Sequence, residues 1–275
     1  IVNDRMTSKE LVLGFQSEQL ITDGVVAEEA VCAVKSWLND AKLPALSDEQ
    51  IILFLVSCDQ NVEFTQKTIL VHFKIKRGSP EHFGSRRLHG NDIQNALQTG
   101  RTCVWKDEEG CVIIYYRCNR DVRHWNLSHS AKFSFMVLDS ALYDYPPKGL
   151  YIIVDTKELS FELAMKTLRP SVLSVIFNYF QRAAPVKLRT IHIFNSAYWA
   201  PKLLQMVSPF IDSKIVEQIV FYPRNLSLEE LRERCRLPLP SDLGGELPSV
   251  DVLQERLIEK MESISAYYEA EELQR

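Results

Sequence analysis

Hydrophobic residues in the first part of the chain recur with helical spacing. Over residues 28–38 they include Val31, Val34 and Leu38, which lie on one face of a helix. A second helix is predicted to begin after Ser47, because Gln50 completes a capping box before an apolar run. A third covers residues 63–77 and ends at the Gly-Ser-Pro stretch that follows. The pattern predicts a helical module over residues 1–88.

The spacing of hydrophobic residues changes near residue 100, where short runs rich in Val, Ile, Tyr and Phe begin. Strands are predicted over residues 102–105, 112–116, 150–154, 191–194 and 219–222. Helical stretches over 130–143, 170–181 and 201–216 separate the last four runs, which is typical of crossover units in a mainly parallel sheet. The runs are continuously apolar, which indicates that both sheet faces are covered. The sequence therefore predicts an α/β fold, with a mainly parallel-sheet domain over residues 89–249.

The last segment, residues 250–275, combines an excess of acidic residues with an apolar stripe. The stripe has the i, i+4 spacing of a helix face and consists of Val252, Leu253, Leu257, Ile258 and Met261. We expect a carboxy-terminal amphipathic helix that packs on the rest of the protein.

Composition narrows the class of protein. Of the 275 residues, 46% are hydrophobic and 25% charged, as in ordinary globular proteins. The net charge of −4 disfavours a nucleic-acid partner, and no apolar run approaches the roughly 20 residues that cross a bilayer. The first residues lack a signal-peptide pattern, and the six cysteines form no C-x-x-C pair. These features favour a cytoplasmic protein without a metal or cofactor.

The motifs that usually mark catalysis are absent from the sequence. There is no G-x-S-x-G, no phosphate-binding G-x-x-x-x-G-K-S/T, no G-x-G-x-x-G and no H-E-x-x-H. Asp155 follows a strand, where ligands of α/β sheets bind, but it equally suits a turn cap or an ion pair. His192 lies within an apolar strand and suits either a core position or a polar ligand contact. We expect a protein that is not an enzyme.

The stretch after Asn195 is unusually apolar. Ser196 and Pro201 suit the start of a helix, and the residues up to Ile211 are apolar on more than one face. Such a helix either lies inside the core or covers a cavity, and Pro209 provides a point at which it can bend.

Several short segments, in this order, resemble the CRAL-TRIO family of lipid-binding proteins, which includes Sec14-like carriers and the α-tocopherol transfer protein. The segments are Trp37-Leu38, Leu43-Pro44, residues 46–49, Phe54-Leu55, Lys76-Arg77, residues 80–83, GLYIIVD at 149–155, Pro170-Ser171, PVKLRTIHIFN at 185–195, SPFI at 208–211 with Lys214-Ile215, and LPSDLGG at 239–245. The long acidic terminal helix is most similar to the tocopherol-transfer-like members of the insect branch.

The resemblance implies a lipid pocket between the sheet and a gate helix that contains Trp199. The lining that it implies comprises Phe133, Met136, Val137, Leu150, Val154, Ile176, Tyr179, Phe180, Val186, Leu188, Ile191, Phe194, Trp199, Leu203, Leu204, Val207 and Phe210. A polar group of the ligand could bond to Ser134, Ser140, Ser174, Tyr179 or His192. Lys187, Arg189 and Lys214 keep three positions of a basic cluster that binds phosphoinositide membranes in some members, while Val216 and Gln218 replace two others.

The resulting expectation is a carrier. It binds a small hydrophobic lipid, such as a tocopherol, retinoid, carotenoid or similar isoprenoid, and transfers it between membranes through transient contact with their surfaces. The alternative is a regulatory module of the same fold that binds a protein partner through the helix beginning at Val250. A third hypothesis, an enzyme acting on a lipophilic ester or hormone, would make Asp155 important for turnover.

Overall fold

The amino-terminal helices form where the sequence provides caps and apolar faces. The computed structural model of the chain describes residues 11–119 and 124–274. The predicted capping box is present: the Ser47 side chain accepts from the Gln50 amide, and the Gln50 side chain accepts from the Ser47 amide at 3.0 Å. The helices of this part are α1 (Ser17–Thr22), α2 (Glu28–Asp40), α3 (Asp48–Ser57), α4 (Val62–Gly78), α5 (Pro80–Phe83) and α6 (Asn91–Thr99).

A five-stranded, mostly parallel sheet follows, as the sequence predicts. Its strands lie side by side in chain order, namely β1 (Gly100–Lys106), β2 (Val112–Cys118), β3 (Leu150–Asp155), β4 (Leu188–Ser196) and β5 (Ile219–Pro223). β1 and β2 form an antiparallel hairpin whose turn contains Gly110 at φ +87°, and the other neighbours are parallel. The fold is therefore mixed α/β with a mainly parallel sheet.

Helices between the parallel strands cover one face of the sheet. They are α7 (Leu127–Leu142), α8 (Phe161–Thr167), α9 (Pro170–Arg182), α10 (Ala200–Val207) and α11 (Ser213–Val216). The predicted continuous helix over 201–216 is wrong: a 3-10 turn, Ser208–Phe210, separates α10 from α11, and the Asp212 side chain caps α11. The interruption lies at Pro209, which cannot donate a backbone hydrogen bond. The hydrophobic pattern did not predict α8.

The opposite face is covered by the segment after β5. This segment contains α12 (Leu228–Cys235), α13 (Val250–Ser263) and α14 (Ser265–Glu272). Only α12 and the start of α13 lie on this face, whereas α14 packs beside α7, where the Tyr268 hydroxyl donates to the Met136 carbonyl. Alternate strand residues such as Ile113, Tyr115 and Ile153 pack there against buried side chains of α12 and α13. The predicted single carboxy-terminal helix is two helices, separated at Ile264.

One hydrophobic core joins all three parts of the chain. It contains residues of the amino-terminal helices, of the sheet and of α13 and α14, for example Ile52, Leu150 and Met261. The carboxy-terminal helices therefore have their apolar side buried.

Candidate ligand-binding site

A cavity of about 290 Å³ lies between the sheet and the crossover helices. Its floor consists of strand residues, most of them alternate, because every second side chain of a strand points to the same face. Leu188 and Ile191 are three positions apart because the register of β3 and β4 shifts between them. These floor residues are Ile114, Tyr116, Cys118, Ile152, Val154, Leu188, Ile191, Ile193, Ile219 and Phe221.

The walls come from α7, α9, α10, the last residue of β3 and the loops that precede α7, α8, α9 and α10. Most of these side chains are aliphatic or aromatic. The wall residues are Trp125, Leu127, Ser130, Ala131, Ser134, Asp155, Thr156, Leu159, Leu168, Leu173, Ile176, Phe177, Phe180, Trp199, Ala200, Leu203 and Leu204. A site of this kind favours a ligand with a large apolar surface.

The structure places eight of the predicted lining residues at this cavity. They come from β3, β4, α9 and the α10 region, and they are Val154, Ile176, Phe180, Leu188, Ile191, Trp199, Leu203 and Leu204. The side chains of Val207 and Phe210 lie outside the described part of the structure.

Seven other predicted lining residues are buried but do not line the cavity, namely Phe133, Met136, Val137, Leu150, Tyr179, Val186 and Phe194. On α7, the cavity face carries Leu127, Ser130, Ala131 and Ser134, and the helix turns Phe133, Met136 and Val137 towards other parts of the core. Tyr179 packs against aromatic rings of α5 and α7, and Phe194 lies on the other face of the sheet.

β2 supplies three further lining residues that were not predicted from the sequence, namely Ile114, Tyr116 and Cys118. The alternation of side chains along a strand could have identified these residues. Once one residue of a neighbouring strand is known to line the cavity, the alternation shows which residues of β2 share its face.

A group of three hydrogen-bonding side chains lies where β2 meets the start of α7. The Trp125 indole N–H donates to the Ser130 hydroxyl at 2.9 Å, and the Tyr116 hydroxyl lies 3.4 Å from the same oxygen. Ser134, one turn along α7, donates to the Ser130 carbonyl at 2.8 Å. Burial raises the pKa of Tyr116, so its phenol stays protonated. The cavity thus has a neutral polar corner.

Asp155 is held by hydrogen bonds from its surroundings. Its carboxylate accepts from the Tyr115 hydroxyl at 2.8 Å, from the Asn195 amide group at 2.8 Å and from the Lys157 backbone amide at 2.9 Å. These contacts connect the ends of three strands and the loop after β3. Because the protein itself supplies all three of these hydrogen bonds, we interpret Asp155 as a structural residue.

His192 points away from the cavity, to the second face of the sheet. Its Nδ1 lies 2.9 Å from the Tyr222 hydroxyl and 3.8 Å from the Cys235 sulfur. Burial lowers its pKa to about 4, so the ring is neutral near pH 7. Among the other predicted polar candidates, Ser140 donates to the Val137 carbonyl, and Ser174 accepts from Asn178.

The three basic positions differ in their surroundings. Lys187 pairs with Asp59 at 2.7 Å, Arg189 donates to the Lys148 carbonyl at 3.1 Å, and Lys214 is exposed. Within residues 11–119 and 124–274, no group of three His, Cys, Asp or Glu side chains is placed to hold a metal ion. No helix of this part is long and apolar enough to cross a membrane.

The part of the chain that contains the sheet and the cavity is similar to a known protein family. The sequence profile of the CRAL/TRIO domain family matches residues 100–245. Clavesin-1 of Xenopus laevis is 24% identical over 212 residues, which are 74% of this chain and 63% of that protein. Clavesin-1 of Rattus norvegicus is 32% identical over 187 residues, 66% of this chain and 52% of that protein. The chain thus spans less than two thirds of the length of these relatives.

Among solved structures, the crystal structure of Sfh5 has a similar fold. The TM-score is 0.54 at 13% sequence identity, and the superposition covers 88% of this chain and 98% of Sfh5.

Proposed function

Since this chain belongs to the CRAL/TRIO domain family, we propose that it binds a small hydrophobic lipid in the cavity beneath α10 and transfers it between membranes. The observation that carries the proposal is the cavity itself, whose floor and walls are nearly all apolar. Enclosing roughly 400 Å² of apolar ligand surface contributes about 10 kcal/mol, and association costs about 4 kcal/mol or more. The remainder of about 6 kcal/mol corresponds to a dissociation constant of tens of micromolar.

The ligand class that we propose is an isoprenoid such as a tocopherol, a retinoid or a carotenoid, with no chemical conversion in the site. We further propose that the chain is a cytoplasmic member of the tocopherol-transfer-like insect branch. In this proposal residues 1–88 are a helical module, residues 89–249 are the lipid-binding domain, and residues 250–275 are a terminal helical segment. The acidic character of residues 250–275 supports the branch.

In this proposal α10 is the gate. It carries Leu203 and Leu204 on its cavity side, while Met206 on the same helix is 59% exposed. The preceding turn presents Tyr198, which is 90% exposed, and neighbouring α8 presents Phe161 and Met165. Phe161 contacts Trp199, with ring centroids 5.7 Å apart, so the exposed side chains lie on the elements that border the cavity. We call Phe161, Met165, Tyr198 and Met206 the apolar rim.

A membrane surface is the partner that suits this rim. A lipid that leaves an apolar cavity is stabilised if it enters another apolar phase directly, without crossing water. Exposed Lys166 and Lys202 belong to the same two helices and can lie near lipid phosphates. The contact is transient because the rim is small.

Analysis of co-purified lipid tests the carrier function. The full chain, expressed in eukaryotic cells, should yield one apolar molecule per protein on solvent extraction and mass spectrometry. Absence of a stoichiometric lipid, together with no uptake of tocopherol, retinoid or carotenoid by the purified protein, would reject the proposal.

Variants of the rim test the membrane step. Tyr198→Asp and Phe161→Asp should slow lipid transfer between neutral vesicles at least fivefold, because a charged side chain resists entry into the bilayer. Uptake of lipid from dilute ethanol should stay unchanged. Phe64→Asp is the matched control, since Phe64 is 56% exposed on α4, in the amino-terminal helices. Equal transfer rates for all three variants would contradict a membrane contact at the rim.

A further inference from the structure

The polar groups of the cavity define the chemistry of its ligand more narrowly than the apolar walls do. We infer that the site takes a neutral lipid with one hydrogen-bond acceptor oxygen at its end, and that the hydroxyls of Tyr116 and Ser130 hold that oxygen. This inference rests on the proposed carrier function and specifies its ligand.

The polar corner has more hydrogen-bond donors than its own groups use. Trp125, Ser130 and Tyr116 bring one N–H and two O–H groups. Trp125 donates to the Ser130 oxygen, and one of the two hydroxyls donates to the other. One O–H proton is left without an acceptor among the described residues. A buried donor without a partner is costly, so a ligand acceptor at this point gains a full hydrogen bond.

The lengths of these contacts favour the same conclusion. The indole contact to Ser130 is 2.9 Å, but the two hydroxyl oxygens are 3.4 Å apart. Hydroxyl pairs typically stand at about 2.7 to 2.8 Å, so this pair is loosely held. A carbonyl, ether or hydroxyl oxygen of a ligand can therefore compete for the Tyr116 proton at little expense.

The charged groups around the cavity restrict the ligand further. No lysine or arginine is among the described residues that line the cavity. The one carboxylate, Asp155, accepts three hydrogen bonds from the protein itself. A ligand phosphate or carboxylate would be buried without a cation, which costs several kcal/mol. The cavity therefore selects against phospholipid head groups and ionised fatty acids.

The position of the polar corner sets the orientation of the ligand. Tyr116 is on β2 and Ser130 on α7, whereas α10 follows β4, two strands away in the sheet. A ligand oxygen bound at the polar corner leaves its hydrocarbon part along β3 and β4, towards Leu203 and Leu204. The apolar end of the ligand thus faces the proposed gate.

A series of four retinoids that differ only at the terminal group tests the inference. Retinal, retinol, retinoic acid and the hydrocarbon with a terminal methyl group are titrated into the full, delipidated chain at pH 8, and quenching of tryptophan fluorescence is recorded. Retinal and retinol should bind three- to tenfold more tightly than the hydrocarbon. Retinoic acid, ionised at this pH, should bind at least 100-fold more weakly than retinal, and its affinity should rise as the pH is lowered.

Tyr116→Phe should remove the advantage of retinal over the hydrocarbon and leave hydrocarbon binding unchanged. Tyr222→Phe is the matched control, because it removes the same hydroxyl from a strand residue whose side chain lies on the opposite face of the sheet, away from the cavity. The melting temperatures of both variants verify that they fold.

Each outcome bears on one of the two claims. If the hydrocarbon binds as tightly as retinal, or if retinoic acid matches retinal at pH 8, the inference is overturned and the carrier function stands. If Tyr116→Phe keeps the preference for retinal, the assigned corner is wrong. If none of the four compounds binds, the carrier function itself fails for this ligand class.

Discussion

His192 shows how burial sets the protonation state of a single residue. The imidazole is only 6% exposed and packs between Tyr222 and Phe194 on the face opposite the cavity. Burial lowers its pKa to about 4 from the ordinary 6.5. The unfolded chain therefore binds a proton at a higher pH than the folded protein does. The stability that depends on neutral His192 is complete above pH 6.5 and is lost as the pH falls towards 4.

We predict that His192→Gln flattens the acid side of the stability profile. Linkage with these pKa values gives a loss of about 2 kcal/mol for the wild type between pH 7.5 and pH 5 from this residue alone. Glutamine does not titrate and can still accept a hydrogen bond from Tyr222. Urea unfolding at a series of pH values measures the effect. His82 and His129, whose pKa values burial also lowers, should leave the variant with a residual slope of the same sign.

Equal pH slopes for the wild type and His192→Gln would show that His192 does not titrate with a lowered pKa. A core position and a polar ligand contact were both compatible with the sequence around His192, and the structure places the residue in the core. The sequence did not distinguish the two positions. A continuously apolar strand such as residues 191–194 is buried on both faces, and its pattern does not indicate which face lines the cavity.

At the scale of elements, α10 determines whether the cavity can accept a ligand. Leu204 lines the cavity, and Met206, two positions later, is exposed. Because the space beside Leu204 is not filled by protein, a larger side chain there occupies the ligand volume without the strain of overpacking a filled core.

We predict that Leu204→Trp lowers retinal uptake at least tenfold and leaves the melting temperature within a few degrees of the wild type. Met206→Trp adds the same ring on the exposed side of the same helix and should bind normally. Fluorescence titration and calorimetry of the three proteins provide the comparison. Normal uptake by Leu204→Trp would mean that the ligand does not occupy the space beneath α10.

The helices and strands were predictable from local sequence patterns, whereas the residues that line the walls of the cavity were not. The capping box of α3 and the five apolar runs led directly to helices and strands, since their signals lie within a few residues. The choice between Phe133 and Ser134 as a wall residue depends on the rotation of α7 over the sheet. That rotation is set by contacts with α5, α6 and α9, which no local pattern encodes.

At the scale of the whole molecule, a buried ionic cluster joins the amino-terminal, central and carboxy-terminal parts. Arg86, between α5 and α6, pairs with Asp139 of α7 and with Glu271 of α14, and Lys76 of α4 also pairs with Glu271. All four side chains are at most 5% exposed. Burial opposes the charge of Arg86, but Asp139 outweighs this and raises its pKa. The sequence did not indicate the cluster, because charged residues so distant along the chain are read as solvated surface.

We predict that Arg86→Met destabilises the protein by about 3 to 5 kcal/mol, because removal of a buried cation leaves Asp139 and Glu271 inadequately compensated. Arg87→Met, next to it but exposed, should change the unfolding free energy by less than about 0.5 kcal/mol. Adding Asp139→Asn to Arg86→Met should recover part of the loss, since one uncompensated charge is removed. Urea unfolding followed by circular dichroism measures all four proteins. If Arg86→Met and Arg87→Met unfold at the same urea concentration, the cluster does not hold the three parts together, and apolar packing of α13 and α14 alone accounts for their attachment.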